Sequence, residues 1–356
     1  MRLLLGSVFG VCGVAAILAT PRLAARGQVT ASTGSTRAAF LEVIKRPPAP
    51  LAPSSPQVTV VNGYRQELLS FASEPNERVP VLVLKKDDGG PRRAVVIALH
   101  GTGGSKEGMR GELERYADRG WIAVSMDARH HGERAVPIPG LSNPYQSAML
   151  RAYRTGEGHP YLYDTVWDVL RLVDYLVTRP DVDPARIGLS GNSKGGTEAY
   201  LAAAADERIR VVVPFIGVQS YSWSLRHASG WEARTWTLRQ ATEAAAADSG
   251  ARVDAAFIRR FYERIAPGLV DRFDGPAMLP LIAPRPLLVV NGDSDPRSPL
   301  GGVREAVTAA ERAYAAAGAP EKFKFVLEVD AAHEVTPDAR AMSVKWFEQW
   351  LAPPAR

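Results

Sequence analysis

The chain has 356 residues, 46% hydrophobic and 23% charged, which suits one large globular domain with insertions or two small ones. The net charge of +5 would permit an anionic partner, but Lys and Arg are scattered. No basic run is interleaved with aromatics and no nucleic-acid motif is present, so a solvated basic surface and no nucleic-acid partner are expected.

The N-terminus comes first in chain order. Arg2 precedes an apolar stretch from Leu3 to Ala19, followed by small residues at Ala24, Ala25 and Gly27. This pattern reads as a secretory signal peptide over residues 1–25, because the apolar stretch is short for a membrane span. A secreted or periplasmic location follows, with no stable membrane association after cleavage. Cleavage would remove Arg2 and Arg22 and no acidic residue, so +5 would fall to +3. Cys12, the one cysteine, lies in this segment, leaving no thiol for a disulfide, a metal site or a nucleophile. Phe9-Gly10-Val11 before it does not form a lipoprotein motif. Residues 26–56 read as a Pro/Ala-rich leader and linker with one short helix around Arg37–Ile44.

A folded domain is expected over residues 57–356. Strand-like runs are Val58–Val61, Val79–Leu84, Ala94–Leu99, Trp121–Met126, Arg186–Ser190, Val211–Phe215, Pro286–Asn291 and Phe323–Val329. Most are short, continuous and β-branched, as strands buried on both faces are. Helical patterns fall between them at Lys106–Arg119, Tyr163–Arg179, Gly195–Ala205, Val303–Ala317 and Ala339–Leu351. The alternation predicts an α/β fold, a mostly parallel sheet of about eight strands flanked by helices, with an antiparallel edge at its start. Residues 217–283 interrupt the alternation with helical runs at Thr235–Ala247 and Val253–Ile265 and with Trp223, Trp231 and Trp236. Ligands bind beyond the carboxyl ends of such strands, so this insertion is expected to be a lid or pocket wall.

Residues 186–196 read R-I-G-L-S-G-N-S-K-G-G. Here G-x-S-x-G sits between a strand and a helix, the context that the motif needs. Gly191 and Gly195 let strand and helix approach, so Ser193 projects from a sharp turn as the candidate nucleophile. A serine hydroxyl needs a base. Of six histidines only His333 follows the last strand, in V-D-A-A-H-E. The carboxylate that orients it should follow the strand Pro286–Asn291, where N-G-D-S-D-P-R-S-P offers Asp293 and Asp295. An oxyanion hole needs two backbone N–H groups. Lys194 supplies one, and Thr102 in His100-Gly101-Thr102-Gly103-Gly104 supplies the other, with Gly103 its neighbour to consider. The Lys194 side chain could add charge to the oxyanion, but is expected to point away. His130 and His131, in D-A-R-H-H-G-E-R, have no matching ligands, so a structural role is expected, with Asp127 and Arg134 tying the loop down. No metal and no cofactor is expected.

Together the segments L-H-G-T-G-G-S-K-E, D-A-R-H-H-G-E-R, R-I-G-L-S-G-N-S-K-G-G, I-A-P-R-P-L-L-V-V-N-G-D-S-D-P-R-S-P and A-H-E-V-T-P resemble the dienelactone-hydrolase-like and acetyl-xylan-esterase-like branch of the α/β-hydrolase superfamily. The resemblance runs from about residue 78 to residue 352. It implies a Ser-Asp-His triad without a cofactor, and it favours Asp295 over Asp293. It also implies hydrolysis of carboxylic esters through an acyl-enzyme, the substrate being a small-molecule or polysaccharide ester. An acyltransferase, a peptidase or a non-catalytic binding protein would share the fold. The chain departs from dienelactone hydrolases in having Ser193 where they use cysteine. Lys194 stands where related enzymes often have an apolar residue.

Overall fold

The computed structural model describes residues 34–47, 49–87, 92–137, 141–227 and 230–353. The expected signal segment, with Cys12, and the start of the leader lie outside them. Among the described residues, nine strands form one sheet: β1 (Gln57–Val61), β2 (Tyr64–Glu74), β3 (Glu77–Lys86), β4 (Arg93–Leu99), β5 (Ile122–Met126), β6 (Val182–Asn192), β7 (Ile209–Phe215), β8 (Leu287–Gly292) and β9 (Phe323–Glu328). Their order is β1-β2-β3-β5-β4-β6-β7-β8-β9. β1, β2, β3 and β5 pair antiparallel, and from β5 through β9 every pairing is parallel.

The side-chain period of two divides each central strand between two cores. In β4, Val95, Ile97 and Leu99 face one core, which includes α4 (Tyr163–Thr178) and α5 (Lys194–Ala205). Ala94, Val96 and Ala98 face the other, against α2 (Arg110–Ala117) and α11 (Pro337–Trp350). From β4 the chain passes to β5 on one side and later to β6 on the other. The carboxyl ends of β4 and β6 therefore flank a topological switch point, the place where such sheets bind ligands.

Two elements lie outside the expected set. The first is β2, which brings the sheet to nine strands among the described residues. Its inward positions are Glu67, Leu69, Phe71 and Ser73, so two polar residues interrupt the apolar alternation. Glu67 is tolerated inside because Arg179 Nη1 donates to it at 2.8 Å and Lys85 Nζ lies 3.1 Å away. Secondly, α3 (Pro144–Thr155) was missed; Asn143 caps it, accepting from the Gln146 N–H at 3.1 Å, and Pro144 opens it.

The described part of the leader contains the expected short helix and packs on the domain. Residues 34–44 form helix α1, and Phe40 and Ile44 are both 0% exposed. The Phe40 ring meets Tyr163 at 5.3 Å and Phe273 at 5.1 Å. Arg37 donates to the carbonyls of Ala204 at 2.8 Å and Leu281 at 2.9 Å. Beyond α1 the proline-rich stretch runs extended along β2, with the Ala72 N–H bonded to Leu51 O at 2.7 Å and the Ser54 N–H to Ser70 O at 2.8 Å.

Phe40→Ala should therefore cost about 3–5 kcal/mol, the usual penalty for emptying an aromatic core site. Equilibrium denaturant unfolding measures it, and a loss below about 0.5 kcal/mol would mean that the helix is not part of the folded unit.

Candidate active site

β6 ends in the turn Gly191-Asn192-Ser193, and α5 begins at Lys194. The turn brings strand and helix into main-chain contact. A Cβ on Gly191 would lie 2.2 Å from the Gly195 carbonyl oxygen, and one on Gly195 would lie 2.5 Å from that of Leu99. Ser193 sits at φ 56°, ψ −115°, outside the ordinary regions for a residue with a side chain. Its N–H bonds to Phe215 O at 2.9 Å, and its carbonyl accepts from the Thr197 N–H at 3.0 Å.

The loops after β8 and β9 bring the remaining groups to the same strand ends. They are tied together by the Asp293 N–H to Glu328 O at 3.0 Å and the Ser294 N–H to Ala331 O at 3.1 Å. His333 Nδ1 donates to Asp295 Oδ2 at 2.7 Å, and Ser193 Oγ donates to His333 Nε2 at 2.7 Å. The second oxygen of Asp295 accepts from the N–H groups of Arg297 at 2.8 Å and Ser298 at 3.3 Å. Burial alone would raise the Asp295 carboxyl. The hydrogen bond and charge of His333, with those two N–H groups, hold it below the usual range instead. Asp293 stays outside this chain, its Oδ1 accepting from its neighbour Ser294 at 2.9 Å. The arrangement can pass a proton from Ser193 to His333 while a carboxylate fixes the imidazole tautomer.

Thr102 follows β4 and lines the same cavity as Ser193, Lys194 and His333. A turn closed by the Gly104 N–H on Gly101 O at 3.1 Å shapes its loop. Among the described residues the N–H groups of Thr102 and Lys194 have no hydrogen-bond partner. The Lys194 side chain runs away from the cavity, and its Nζ lies 2.6 Å from Glu198 Oε1, both side chains being buried.

His100 and His131 lie near that ion pair. Burial, aided by the charge of Lys194, lowers the pKa of His100 to about 4 and that of His131 to about 2. Both are neutral rings fixed by main chain. His100 Nδ1 donates to Gly101 O at 2.8 Å while Nε2 accepts from the Ala128 N–H at 3.1 Å. His131 Nδ1 donates to Arg129 O at 2.7 Å. His130 is also lowered to about 4, first by burial and then by Arg134 and Arg129. Asp127 braces the loop, accepting from the N–H groups of Lys106 at 2.8 Å and Glu133 at 3.0 Å. Arg134 Nη1 reaches Asp127 O at 3.2 Å and Asp168 at 2.7 Å. Among the described residues no group of three His, Cys, Asp or Glu side chains is placed to hold a metal ion.

The insertion at 217–283 forms a wall of the cavity. It carries α6 (Tyr221–Arg226), α7 (Arg239–Ser249), α8 (Ala255–Ile265) and α9 (Gly275–Met278), and α3 packs against α7 and α8. The cavity measures about 50 Å³ and takes Arg234, Trp236 and Tyr262 from the insertion, Tyr161 from the segment before α4 and Arg297 from the β8 loop. No local sequence pattern marks these arginines and tyrosines: Arg234 and Tyr262 arrive by the fold-back of the insertion, Tyr161 and Arg297 from loops distant in the chain.

A family model for acetyl xylan esterase (AXE1) matches residues 42–228, and one for fungal glucuronyl esterase matches residues 145–318. Over 186 residues the chain is 28% identical to YtaP of Bacillus subtilis (strain 168), covering 52% of this chain and 53% of that protein. Over 190 residues it is 28% identical to a 4-O-methyl-glucuronoyl methylesterase of Phanerochaete carnosa, covering 52% and 45%. The matches thus span about half the length of these two relatives. Among solved structures, acetyl xylan esterase 1 of Thermoanaerobacterium sp. JW/SL YS485 superposes with a TM-score of 0.64 at 16% identity, over 90% of this chain and 94% of that one. That likeness shows the shared α/β-hydrolase fold.

Lys194→Met would strand Glu198 as an unpaired buried carboxyl. The expected loss is about 3–5 kcal/mol, and most of it should return in the Lys194→Met, Glu198→Leu double variant. A double-mutant cycle in denaturant reads this directly, and additive single losses would mean that the pair is not coupled.

Proposed function

The chain belongs to the acetyl xylan esterase family, and on that premise we propose that it is a secreted serine esterase that cleaves short-chain carboxylic esters of polysaccharides. The observation that carries the reading is the Asp295–His333–Ser193 relay, two successive hydrogen bonds of 2.7 Å at the mouth of a small cavity. In this reading His333 takes the proton of Ser193 as its Oγ attacks the ester carbonyl. The N–H groups of Lys194 and Thr102 donate to the developing oxyanion, and a donor of this kind is worth about 10²–10³ in turnover. His333 then protonates the leaving alcohol, and water attacks the acyl-enzyme with His333 again as base.

The cavity beside Ser193 is walled by Tyr161, Trp236 and Tyr262, which supports a short acyl group over a long alkyl chain. The family name and the 4-O-methyl-glucuronoyl methylesterase relative support a carbohydrate ester as substrate. Secretion is supported by the charged, apolar and small-residue pattern of the N-terminus. Among the described residues no helix is long and apolar enough to cross a membrane.

The test is a series of p-nitrophenyl esters of rising acyl length together with acetylated xylan. Ser193→Ala should lower kcat by about 10⁶, and Asp295→Asn by about 10³–10⁴ while Asp293→Asn changes it less than threefold. Activity that survives Ser193→Ala overturns the reading, and a larger loss from Asp293 than from Asp295 overturns the assignment of the acid. Across the series kcat/KM should fall at least about tenfold from acetate to hexanoate.

A further inference from the structure

We infer that the cavity beside Ser193 recognises an anionic group, so that the substrate is an ester carried on an acidic carbohydrate, with a carboxylate within about one sugar ring of the ester. This inference rests on the proposed esterase activity and narrows its substrate class.

Arg234 carries the argument. It is 4% exposed and lines the cavity that holds Ser193 and His333. A guanidinium has five N–H donors and is always charged. Among the described residues this one makes a single hydrogen bond, from Nη2 to the carbonyl of Arg297, and its Nε is buried with no partner. It lies over the Tyr221 ring, 5.1 Å from the centroid, and no carboxylate of the described residues pairs with it.

The other arginines of the interior, two buried and Arg179 half-buried, are treated differently. Arg129 is held by both oxygens of Asp168, at 2.8 and 2.9 Å. Arg179 bonds Asp181 and Glu67, each at 2.8 Å. Arg285, which has no carboxylate, donates to four carbonyls, those of Asp206, Ile209, Ala203 and Leu281. A buried cation left with one carbonyl and a ring face is costly unless an anion completes it. The cavity is where that anion can enter.

The rim points the same way. Arg297 has no carboxylate partner among the described residues either, and its guanidinium lies 5.4 Å from the centroid of Trp236. Trp236 is 49% exposed, an aromatic face of the kind that sugars stack on, here with a cation beside it. Its neighbours Arg234 and Thr237 line the cavity with it. A carboxylate fits both guanidinium groups through paired N–H donors, which a neutral sugar cannot match.

The test uses the full chain carrying Ser193→Ala, so that binding is read without turnover and independently of the esterase assignment. D-glucuronate and D-glucose are titrated by calorimetry at one fixed low ionic strength. Glucuronate should bind at least tenfold tighter, the preference should shrink as salt is raised, and adding Arg234→Met should abolish it. Arg297→Gln, at the half-buried rim, should weaken the preference severalfold and keeps the test alive if Arg234→Met does not fold by circular dichroism. Equal affinity for the two sugars with both arginines intact would overturn the inference. So would a preference that neither substitution changes. Loss of esterase activity in wild type would instead overturn the underlying reading and leave the binding result standing.

Discussion

Everything at the site hangs on one strained peptide. Ser193 holds a positive φ at a cost of about 1–3 kcal/mol, and the surroundings over-determine it. Its N–H is tied to β7 and its carbonyl to the first turn of α5. The absence of side chains at Gly191 and Gly195 lets the main chains of β6, α5 and the β4 end come together. That same approach sets the Lys194 N–H beside the serine and brings Thr102 to the same cavity. Relaxing the turn would lose both the aim of the hydroxyl and the pair of N–H groups, so the strain and the proposed chemistry are one feature.

Beneath this turn lies a layer of buried polarity whose signs are consistent. Lys194 pairs with Glu198, and burial together with the field of Lys194 keeps His100 and His131 neutral. Because those rings titrate below the ordinary histidine value, the unfolded chain takes up protons first as pH falls. Stability is therefore lost from about pH 6.5 down toward pH 4. His100 and His131 each use Nδ1 to hold a loop, donating to the carbonyls of Gly101 and Arg129.

The features that sequence shows best are those that local chemistry dictates. The elbow was legible because only glycine fits two of its positions, and the central strands because continuous β-branched runs suit double burial. β2 was hidden because Glu67 occupies an inward position, and only the distant Arg179 and Lys85 make that acceptable. α3 was legible in principle from Asn143-Pro144, a cap followed by a first-turn proline. Asp293 and Asp295 could not be separated by spacing, since each follows the same strand. What separates them is which carboxylate the His333 loop meets, a tertiary fact. The arginines and tyrosines of the cavity had no local signal, because their meaning comes from a fold-back across many residues.

That fold-back is itself fixed. Asp274, near the end of the insertion, accepts from the N–H groups of Tyr221 at 2.8 Å and Ser222 at 3.0 Å, from the Ser220 hydroxyl at 2.8 Å and from the Gly275 N–H at 2.8 Å. Burial pushes its carboxyl above the usual range even against those four donors. One side chain thus closes the base of the insertion, joining its start to its end. Higher up, the Tyr262 hydroxyl donates to the Arg234 carbonyl at 2.7 Å, and Tyr161 and Tyr221 share a hydrogen bond of 2.9 Å. A wall pinned at its base and braced by phenols is preformed and does not need to close on its ligand. The division of labour follows. The strand ends carry a reaction that many folds of this kind could perform, while the pinned insertion holds a buried cation at a fixed place. On the proposed reading, selectivity resides in residues whose removal leaves the relay intact, so substrate class and reaction type have separate structural bases.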